Sequence, residues 1–173
     1  MKILIVYDER VATLRHLAEA VAEGAASVPG TEPQVRTIAE ATLDELSAAA
    51  GLVLGSPNWS GISARMKGWL DQAELFWEYQ TLVGRVGAAF TSARSRASGN
   101  EVTLLQLWHV MLANGMICVG LPWSTTMRTS SNSYYGPIVV GPAGPDDLEA
   151  ARVLGRRVAE VARRLDNGKQ GTV

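Results

Sequence analysis

The sequence predicts a doubly wound α/β fold, and three observations lead to this class. Short apolar runs rich in β-branched residues, such as residues 3–7, recur along the chain without polar alternation, which is typical of parallel strands covered on both faces. Segments with helical periodicity separate these runs from one end of the chain to the other. The length of 173 residues fits one domain with a single substantial core.

Each element follows from the local pattern. Buried strands are predicted at residues 3–7, 51–54, 86–90 and 116–119, a less buried strand at 34–38, and helices at about 12–26, 43–50, 63–76 and 101–114. The last helix is predicted to begin at Pro145, with acidic residues in its first turn, and to end at Asn167 and Gly168. We therefore expect one domain over residues 1–168 and a flexible tail at 169–173.

Composition excludes several classes of function. The 16 Lys and Arg residues against 17 Asp and Glu give a formal net charge of -1, so we expect neither a nucleic-acid partner nor an anionic membrane. One cysteine excludes an intramolecular disulfide and a cysteine-rich metal site. The first apolar run is too short for a signal peptide, and no run approaches the roughly 20 apolar residues of a membrane span. A cytoplasmic protein without a metal is expected.

The ligand site is expected in the loops that follow the strands, because ligands of open α/β sheets bind beyond the carboxyl ends of the strands. Two loops are longer or more unusual than a crossover requires, at residues 91–100 and 122–137. The first strand is followed neither by G-x-G-x-x-G nor by G-x-x-x-x-G-K-[ST], so a dinucleotide fold or a P-loop NTPase is not supported.

The most informative segment is residues 55–72, GSPNWSGISARMKGWLDQ. It resembles the G-[ST]-P-x-[YW]-x-G-x-x-S-x-x-[ML]-K-x-[FW]-[LI]-D stretch of flavodoxin-like proteins, in particular the NAD(P)H:quinone oxidoreductases of the tryptophan-repressor-binding-protein type and the related NADPH-dependent FMN reductases. The similarity continues through residues 86–92, 101–105, 114–122 and 135–142. The resemblance implies a flavodoxin-like three-layer sandwich with five parallel strands in the order 2-1-3-4-5 and helices on both faces.

The resemblance also implies a site for FMN. Trp59 offers a flat apolar face, and Gly61 allows close approach of the backbone to a planar ring. Hydroxyl and amide groups at the end of the fourth strand would face the polar edge of the ring. The residues expected around the ring are Pro57, Asn58, Trp59, Gly61, Thr91, Ser92 and Arg94, and those expected at the phosphate are Arg10 and Thr13.

The phosphate loop departs from the family pattern S-x-T-G-N-T. Residues 9–14 read ERVATL, so Thr13 supplies the one remaining hydroxyl and Glu9 stands where the first hydroxyl belongs. At about 4 Å and an effective dielectric of about 20, a carboxylate beside the phosphate costs on the order of 4 kcal/mol. Either Glu9 points into solvent or it pairs with Arg10, leaving the amides of residues 10–14 and Thr13 free for a phosphate. Alternatively, Asp8 and Glu9 complement the positive end of the first helix and bind no ligand.

The second flavin loop has changed as well. Family members often carry T-G-S-x-H-G-G, whereas residues 93–99 read ARSRASG. Arg94 and Arg96 would meet an anionic flavin edge, a nicotinamide phosphate, an acidic substrate or only solvent. His16 and His109 are expected to be surface or packing residues, and Cys118 is expected to be an unreactive strand residue.

By resemblance, the expected function is transfer of hydride from NAD(P)H through FMN to a quinone or a similar planar acceptor. No side chain is identified as a catalytic acid or base. Relatives of this type are homodimers or homotetramers, and residues 75–77 with Tyr79 would supply an apolar subunit contact. The alternative is a flavin-free protein of the same fold, which has lost the phosphate site and is a binding module or takes another planar ligand.

Overall fold

The computed structural model describes residues 1–123 and 132–170. In chain order the elements are β1 (Lys2–Tyr7), α1 (Ala12–Ala26), β2 (Glu32–Thr37), α2 (Leu43–Ala48), β3 (Gly51–Pro57), α3 (Ala64–Asp71), α4 (Leu75–Glu78), β4 (Val86–Ala93), α5 (Asn100–Ala113), β5 (Ile117–Cys118), β6 (Ile138–Val140) and α6 (Pro145–Gln170). The strands pair in parallel in the order β2-β1-β3-β4-β5. The predicted fold class and strand order are therefore confirmed.

Helices cover both faces of this sheet. Along β1, Ile3 and Ile5 belong to the core cluster beneath α1 and α6, whereas Leu4 and Val6 belong to the cluster beneath α2, α3 and α5. Successive side chains of a strand point to opposite faces, so a strand covered on both sides is apolar throughout. This arrangement explains the uninterrupted apolar runs of the sequence.

α1 and α6 pack backbone against backbone. A Cβ atom on Gly24 would lie 1.9 Å from the carbonyl oxygen of Arg152, and one on Gly155 would lie 1.9 Å from that of Val21. No side chain larger than hydrogen fits at either position without separating the helices. The contact fixes α1, whose first turn faces the ligand cleft described below.

The sheet edge beyond β4 is shared by two short strands. β5 pairs with the beginning of β4, and β6 pairs with its end at residues 91–93. The sequence does not predict β6, because three apolar residues after Pro137 are too few to indicate a strand. In β5, burial raises the pKa of the Cys118 thiol to about 11, so the thiol is protonated at neutral pH and poorly nucleophilic.

Two predicted helix boundaries are wrong. The helix expected at residues 63–76 is two helices, since α3 ends at Asp71 and α4 begins at Leu75. The final helix does not end at Asn167 and Gly168, because Gly168 keeps a right-handed helical backbone and α6 continues to Gln170. Flexibility of the tail stays a prediction, and residues 171–173 lie outside the described residues, as do residues 124–131 of the predicted 122–137 loop.

Within the described part of the chain, no helix is long and apolar enough to cross a bilayer. In the same ranges, no group of three or more His, Cys, Asp or Glu side chains is placed to hold a metal ion.

Candidate functional site

A cleft of about 1300 Å³ lies beyond the carboxyl ends of β1, β3 and β4. Four segments line it: residues 10–13 at the end of β1, 57–60 at the end of β3, 92–95 with Ser98 at the end of β4, and 141–143 after β6; His16 of α1 lines it as well. The volume exceeds the roughly 300–1,000 Å³ typical of ligand pockets, so the cleft is large enough for a small-molecule ligand. Because its walls come from the carboxyl ends of the strands, the cleft lies where ligands bind in open α/β sheets.

The first turn of α1 presents main-chain amides to this cleft. Val11 is the N-cap residue, and no side chain caps the helix. The amide of Leu14 donates to the carbonyl of Val11 at 3.0 Å, whereas the amides of residues 11–13 have no acceptor among the described residues. Thr13 adds a hydroxyl, which donates to the carbonyl of Gly141 at 3.2 Å. Unpaired amides at a helix N-terminus form a site suited to an anion.

Asp8 anchors the loop between β1 and α1 through hydrogen bonds at its base. Its carboxylate is completely buried and accepts hydrogen bonds from Arg10 Nε at 3.0 Å, Arg10 Nη2 at 2.8 Å and the Arg10 amide at 3.2 Å. The Ser63 hydroxyl donates to the same carboxylate at 2.7 Å, and Arg65 lies 3.5 Å from it. Burial alone would raise the pKa of Asp8, but the hydrogen bonds from Arg10 and Ser63 outweigh burial and lower it. Asp8 thus joins the β1–α1 loop to the β3–α3 loop.

Glu9 turns to the neighbouring helix. Its carboxylate forms an ion pair with Arg65 in the first turn of α3, and Glu9 does not line the cleft. The two carboxylates of Asp8 and Glu9 are balanced by the two guanidinium groups of Arg10 and Arg65. The unpaired amides of residues 11–13 therefore lie beside a cluster without net charge.

Neither Asp8 nor Glu9 caps α1 with a side-chain hydrogen bond, because both carboxylates are bound by arginines. That the two residues complement the positive end of α1 by charge stays a prediction. One expectation about Glu9 is wrong. Glu9 does not pair with Arg10, since the Arg10 guanidinium already binds Asp8 and lies over the Trp59 ring, 5.3 Å from its centroid. The electrostatic cost assigned to Glu9 is reduced accordingly, because its charge is compensated.

The β3–α3 loop displays Trp59 to solvent through a tight turn. Ser60 and Gly61 both have left-handed backbones, with φ of 62° and 124°. The Trp59 amide donates to the carbonyl of Gly61 at 3.0 Å, and the Trp59 side chain is 63% exposed at the edge of the cleft. A Cβ on Gly61 would lie 2.5 Å from the side-chain oxygen of Gln106, which accepts the Ile62 amide at 2.8 Å. A glycine at position 61 therefore allows both the left-handed turn and the close packing of this loop against Gln106 of α5.

Asn58 connects the loop after β3 with the loop after β4. Its Nδ2 donates to the carbonyl of Ser98 at 2.8 Å and to Asn100 Oδ1 at 2.7 Å. Its Oδ1 accepts the Gly61 amide at 3.2 Å and the Thr103 hydroxyl at 3.1 Å. Asn58 therefore fixes the 93–99 loop against the turn that carries Trp59.

The cleft brings together seven of the nine predicted site residues, namely Arg10, Thr13, Pro57, Asn58, Trp59, Ser92 and Arg94. Two do not line it. Gly61 faces α5, and Thr91 is buried, with its hydroxyl donating to the carbonyl of Ser56 at 2.7 Å. Arg96 is exposed on the same loop as Arg94 but is not part of the wall.

Two contributions were not predicted from the sequence: Arg65 and the 141–143 segment. The main-chain amides were predicted as free over residues 10–14; among the described residues those of 11–13 are unpaired, whereas Arg10 donates to Asp8 and Leu14 to Val11. One signal for Arg65 was available. A cation in the first turn of a helix opposes the helix dipole, so Arg65 in that position indicates an anionic partner nearby. Nothing in the sequence identifies Glu9 and Asp8 as that partner, because the contact spans 56 and 57 residues.

Comparison with known proteins identifies the family. The family model described as NADPH-dependent FMN reductase matches residues 10–128. The chain belongs to this family. A protein of Syntrophobacter fumaroxidans named NAD(P)H dehydrogenase (quinone) is 35% identical, over 95% of this chain and 98% of that protein. A protein of the same name from Archaeoglobus fulgidus is 34% identical with the same coverage, and a flavodoxin of Aquifex aeolicus is 34% identical over 98% of this chain and 91% of that protein.

Solved structures agree with this assignment. The crystal structure of a flavodoxin, WrbA-like protein from Agrobacterium tumefaciens superposes with a TM-score of 0.77 and 26% identity, covering 94% of this chain and 98% of that one. An archaeal flavodoxin superposes with a TM-score of 0.73 at 23% identity, over 94% of this chain and 99% of that one, which supports the fold alone. The resemblance found in the sequence, to flavodoxin-like NAD(P)H:quinone oxidoreductases and FMN reductases, is confirmed.

Proposed function

We propose that this chain binds FMN in the cleft and transfers reducing equivalents from NAD(P)H to a quinone or a similar planar acceptor. One observation carries the proposal: the unpaired amides of residues 11–13 and the exposed ring of Trp59 line the same cleft. One end offers donors for a phosphate, and the other offers a flat apolar face for an aromatic ring. The family and the names of the relatives support the same reaction.

The residues present fit FMN at both ends. The three amides and Thr13 would hold the phosphate, and the compensation of Glu9 by Arg65 removes the main electrostatic objection to an anion there. Pro57, Trp59 and Ser92 would surround the ring. Arg94, which is exposed and without a hydrogen-bond partner among the described residues, places a positive charge at the cleft edge.

Bound FMN supplies the hydride chemistry, which belongs to the cofactor. In the complete reaction NAD(P)H loses a hydride, and the quinone gains that hydride and one proton to become a hydroquinone. The chain contributes position: Asn58 and Asp8 hold the two loops in place, and Trp59 bounds the space in which planar molecules stack.

We also propose that the protein is a homo-oligomer, either a dimer or a tetramer. The outer side of α5 carries three exposed apolar residues, Val102, Leu105 and Leu112, and Tyr79 after α4 is exposed as well. A helix that is apolar on its solvent side favours burial against a partner. The cytoplasm is proposed as the compartment on the basis of the single cysteine.

The test is a titration of flavin-free protein with FMN, followed by quinone-dependent oxidation of NADH and NADPH. We expect saturable binding at micromolar FMN and oxidation that requires both FMN and the quinone. Absence of saturable binding at micromolar FMN would contradict the proposal and leave the flavin-free alternative.

A further inference from the structure

A second groove, of about 960 Å³, runs between α3 and α5 on the opposite face of the sheet from α1 and α6. On the α1 side the two helices touch through glycines, but α3 and α5 make at most marginal contact with each other. The groove follows α3 from Ala64 to Asp71 and α5 from Gln106 to Ala113. Eight helical residues correspond to roughly 12 Å, so the groove is elongated.

The walls of this groove are mainly apolar. Residues from three elements and their connecting turns contribute to them: Ile62, Leu70, Ala73, Trp77, Val110 and Ala113. The positive charge of Lys67 is paired with Asp71 on the same helix, and Arg10 is paired with Asp8. An anion would have no unpaired Lys or Arg of the lining to bind, and Glu74 is the one lining carboxylate without an ion-pair partner among the described residues. Because the walls are otherwise mainly apolar, a neutral apolar molecule is their best match.

The groove is continuous with the proposed FMN cleft. Arg10, Trp59 and Ser60 line both, so the indole of Trp59 stands on the ridge between them. A molecule with a flat head and a long apolar chain would place its head at Trp59 and its chain along α3 and α5.

We propose that the α3–α5 groove binds the hydrocarbon side chain of a lipid-type quinone, whose ring is the electron acceptor at Trp59. This inference rests on the proposed function, since it names the class of quinone that the same site takes. It assigns no new redox step: the quinone ring still gains one hydride and one proton while NAD(P)H is oxidised.

The first experiment compares two quinones with the same ring, one without a side chain and one with a decyl side chain. We expect the decyl quinone to have at least a tenfold lower KM, which corresponds to burial of about two methylene groups. Binding to the FMN-loaded protein without NAD(P)H, followed by quenching of tryptophan fluorescence, is expected to differ by the same factor. Equal KM values and equal affinities would overturn the inference.

The second experiment fills the groove at Ala113, which is exposed and is the last residue of α5. Ala113→Phe is expected to reduce the decyl preference to less than threefold and to leave the KM of the short quinone unchanged. Ala26→Phe is the matched control, because Ala26 is also exposed and is the last residue of α1, outside both clefts. Ala113→Glu, with Ala26→Glu as its control, tests the same position by charge in case the ring is accommodated.

The outcomes separate three accounts. If neither quinone is reduced, the proposed function fails, and the fluorescence measurement still decides whether the groove prefers the decyl chain. If Ala113→Phe leaves the decyl preference intact, the chain does not lie in this groove and the inference is wrong. If Ala113→Phe changes the oligomeric state in light scattering and Ala26→Phe does not, the groove is a contact with a second copy, which also overturns the inference.

Discussion

The β1–α1 loop and the β3–α3 loop both line the cleft, the first as the proposed phosphate end and the second as the proposed ring end, and they differ in how much of the family motif each retains. The β3–α3 loop keeps the side chains of the family motif. Two of these residues, however, use their hydrogen-bonding groups within the protein: Asn58 donates to Asn100 and accepts from the Gly61 amide. The β1–α1 loop has lost most of its motif side chains, yet the amides of residues 11–13, at the start of α1, are unpaired among the described residues and line the cleft. One end has kept its residues, and the other has kept its main-chain geometry.

The difference teaches that both loops work in the same way. In each, one polar side chain at the base holds the main chain: Asn58 at the ring end and Asp8 at the phosphate end. A ligand then meets amides and an exposed indole, which depend on that anchoring. The phosphate loop can therefore lose its hydroxyl and glycine residues and still keep its main-chain amide donors.

The largest effect is expected from removing the anchor of the phosphate end. Asp8→Ala leaves Arg10 and Ser63 without their acceptor, and we expect a loss of about 2–4 kcal/mol in the free energy of unfolding. Urea denaturation measures this value. Glu9→Ala is the control and is expected to cost about 0–1 kcal/mol, because its ion pair with Arg65 is partly exposed. Equal losses from the two substitutions would show that Asp8 is not the anchor.

Removing the anchor of the ring end, Asn58, is expected to reduce the free energy of unfolding somewhat less. Asn58→Ala removes hydrogen bonds to Asn100, Gly61 and Thr103, and we expect a loss of about 1–3 kcal/mol in stability. Affinities for FMN and riboflavin should fall by the same factor, since both ligands share the ring. A loss of FMN affinity without a loss of riboflavin affinity would show that Asn58 supports the phosphate end and not the ring end, which would contradict this assignment.

A smaller effect is expected from exposing the charge of Glu9. Arg65→Gln removes its partner, so we expect FMN affinity to fall by about fivefold relative to riboflavin affinity, which corresponds to about 1 kcal/mol of repulsion. Lys67→Gln is matched to it, because Lys67 lies on the same helix, carries the same charge and pairs with Asp71. The ratio of the two flavin affinities should stay constant in Lys67→Gln and change in Arg65→Gln.

The smallest effect concerns pH. The pKa of Asp8 in the folded protein lies below its ordinary value of 3.8, so its stabilising contribution is complete above that value and is lost as the pH falls through the folded-state pKa. The difference in unfolding free energy between the unchanged protein and Asp8→Ala is expected to be constant from about pH 7 to 5 and to shrink below about pH 4. A difference that grows on acidification would contradict the assignment.

Much of the fold was predictable because it depends on local pattern. The apolar runs of β1, β3 and β4 and the periodicity of α1 determine which segments are buried, and strand order followed from the resemblance. β6 was missed because a three-residue strand depends on pairing with the end of β4, and a local pattern contains no such information. The end of α6 was missed because an Asn-Gly pair also tolerates continued helix.

The site was predictable for side chains within a motif and not for contacts between loops. Trp59 and Ser92 were found because their positions relative to the strands define the cleft. Arg65 and the buried state of Asp8 were missed because they depend on two loops meeting in space. The amides of residues 10–14 were expected to be available to a phosphate, because the first amides of a helix lack an acceptor within it. That Arg10 and Leu14 use theirs within the loop depends on the folded geometry and was not predicted.

Binding of the FMN phosphate by the amides at the start of α1 is tested most directly by Ala12→Pro. Proline is tolerated at the first position of a helix, the amide that it removes has no partner among the described residues, and Val11 already has the extended backbone that precedes proline. We predict an unchanged melting temperature, an unchanged riboflavin affinity and at least a tenfold loss of FMN affinity by titration, the effect of one hydrogen bond to a charged group of about 1.5 kcal/mol or more. Equal affinity for FMN in Ala12→Pro and the unchanged protein would contradict the claim.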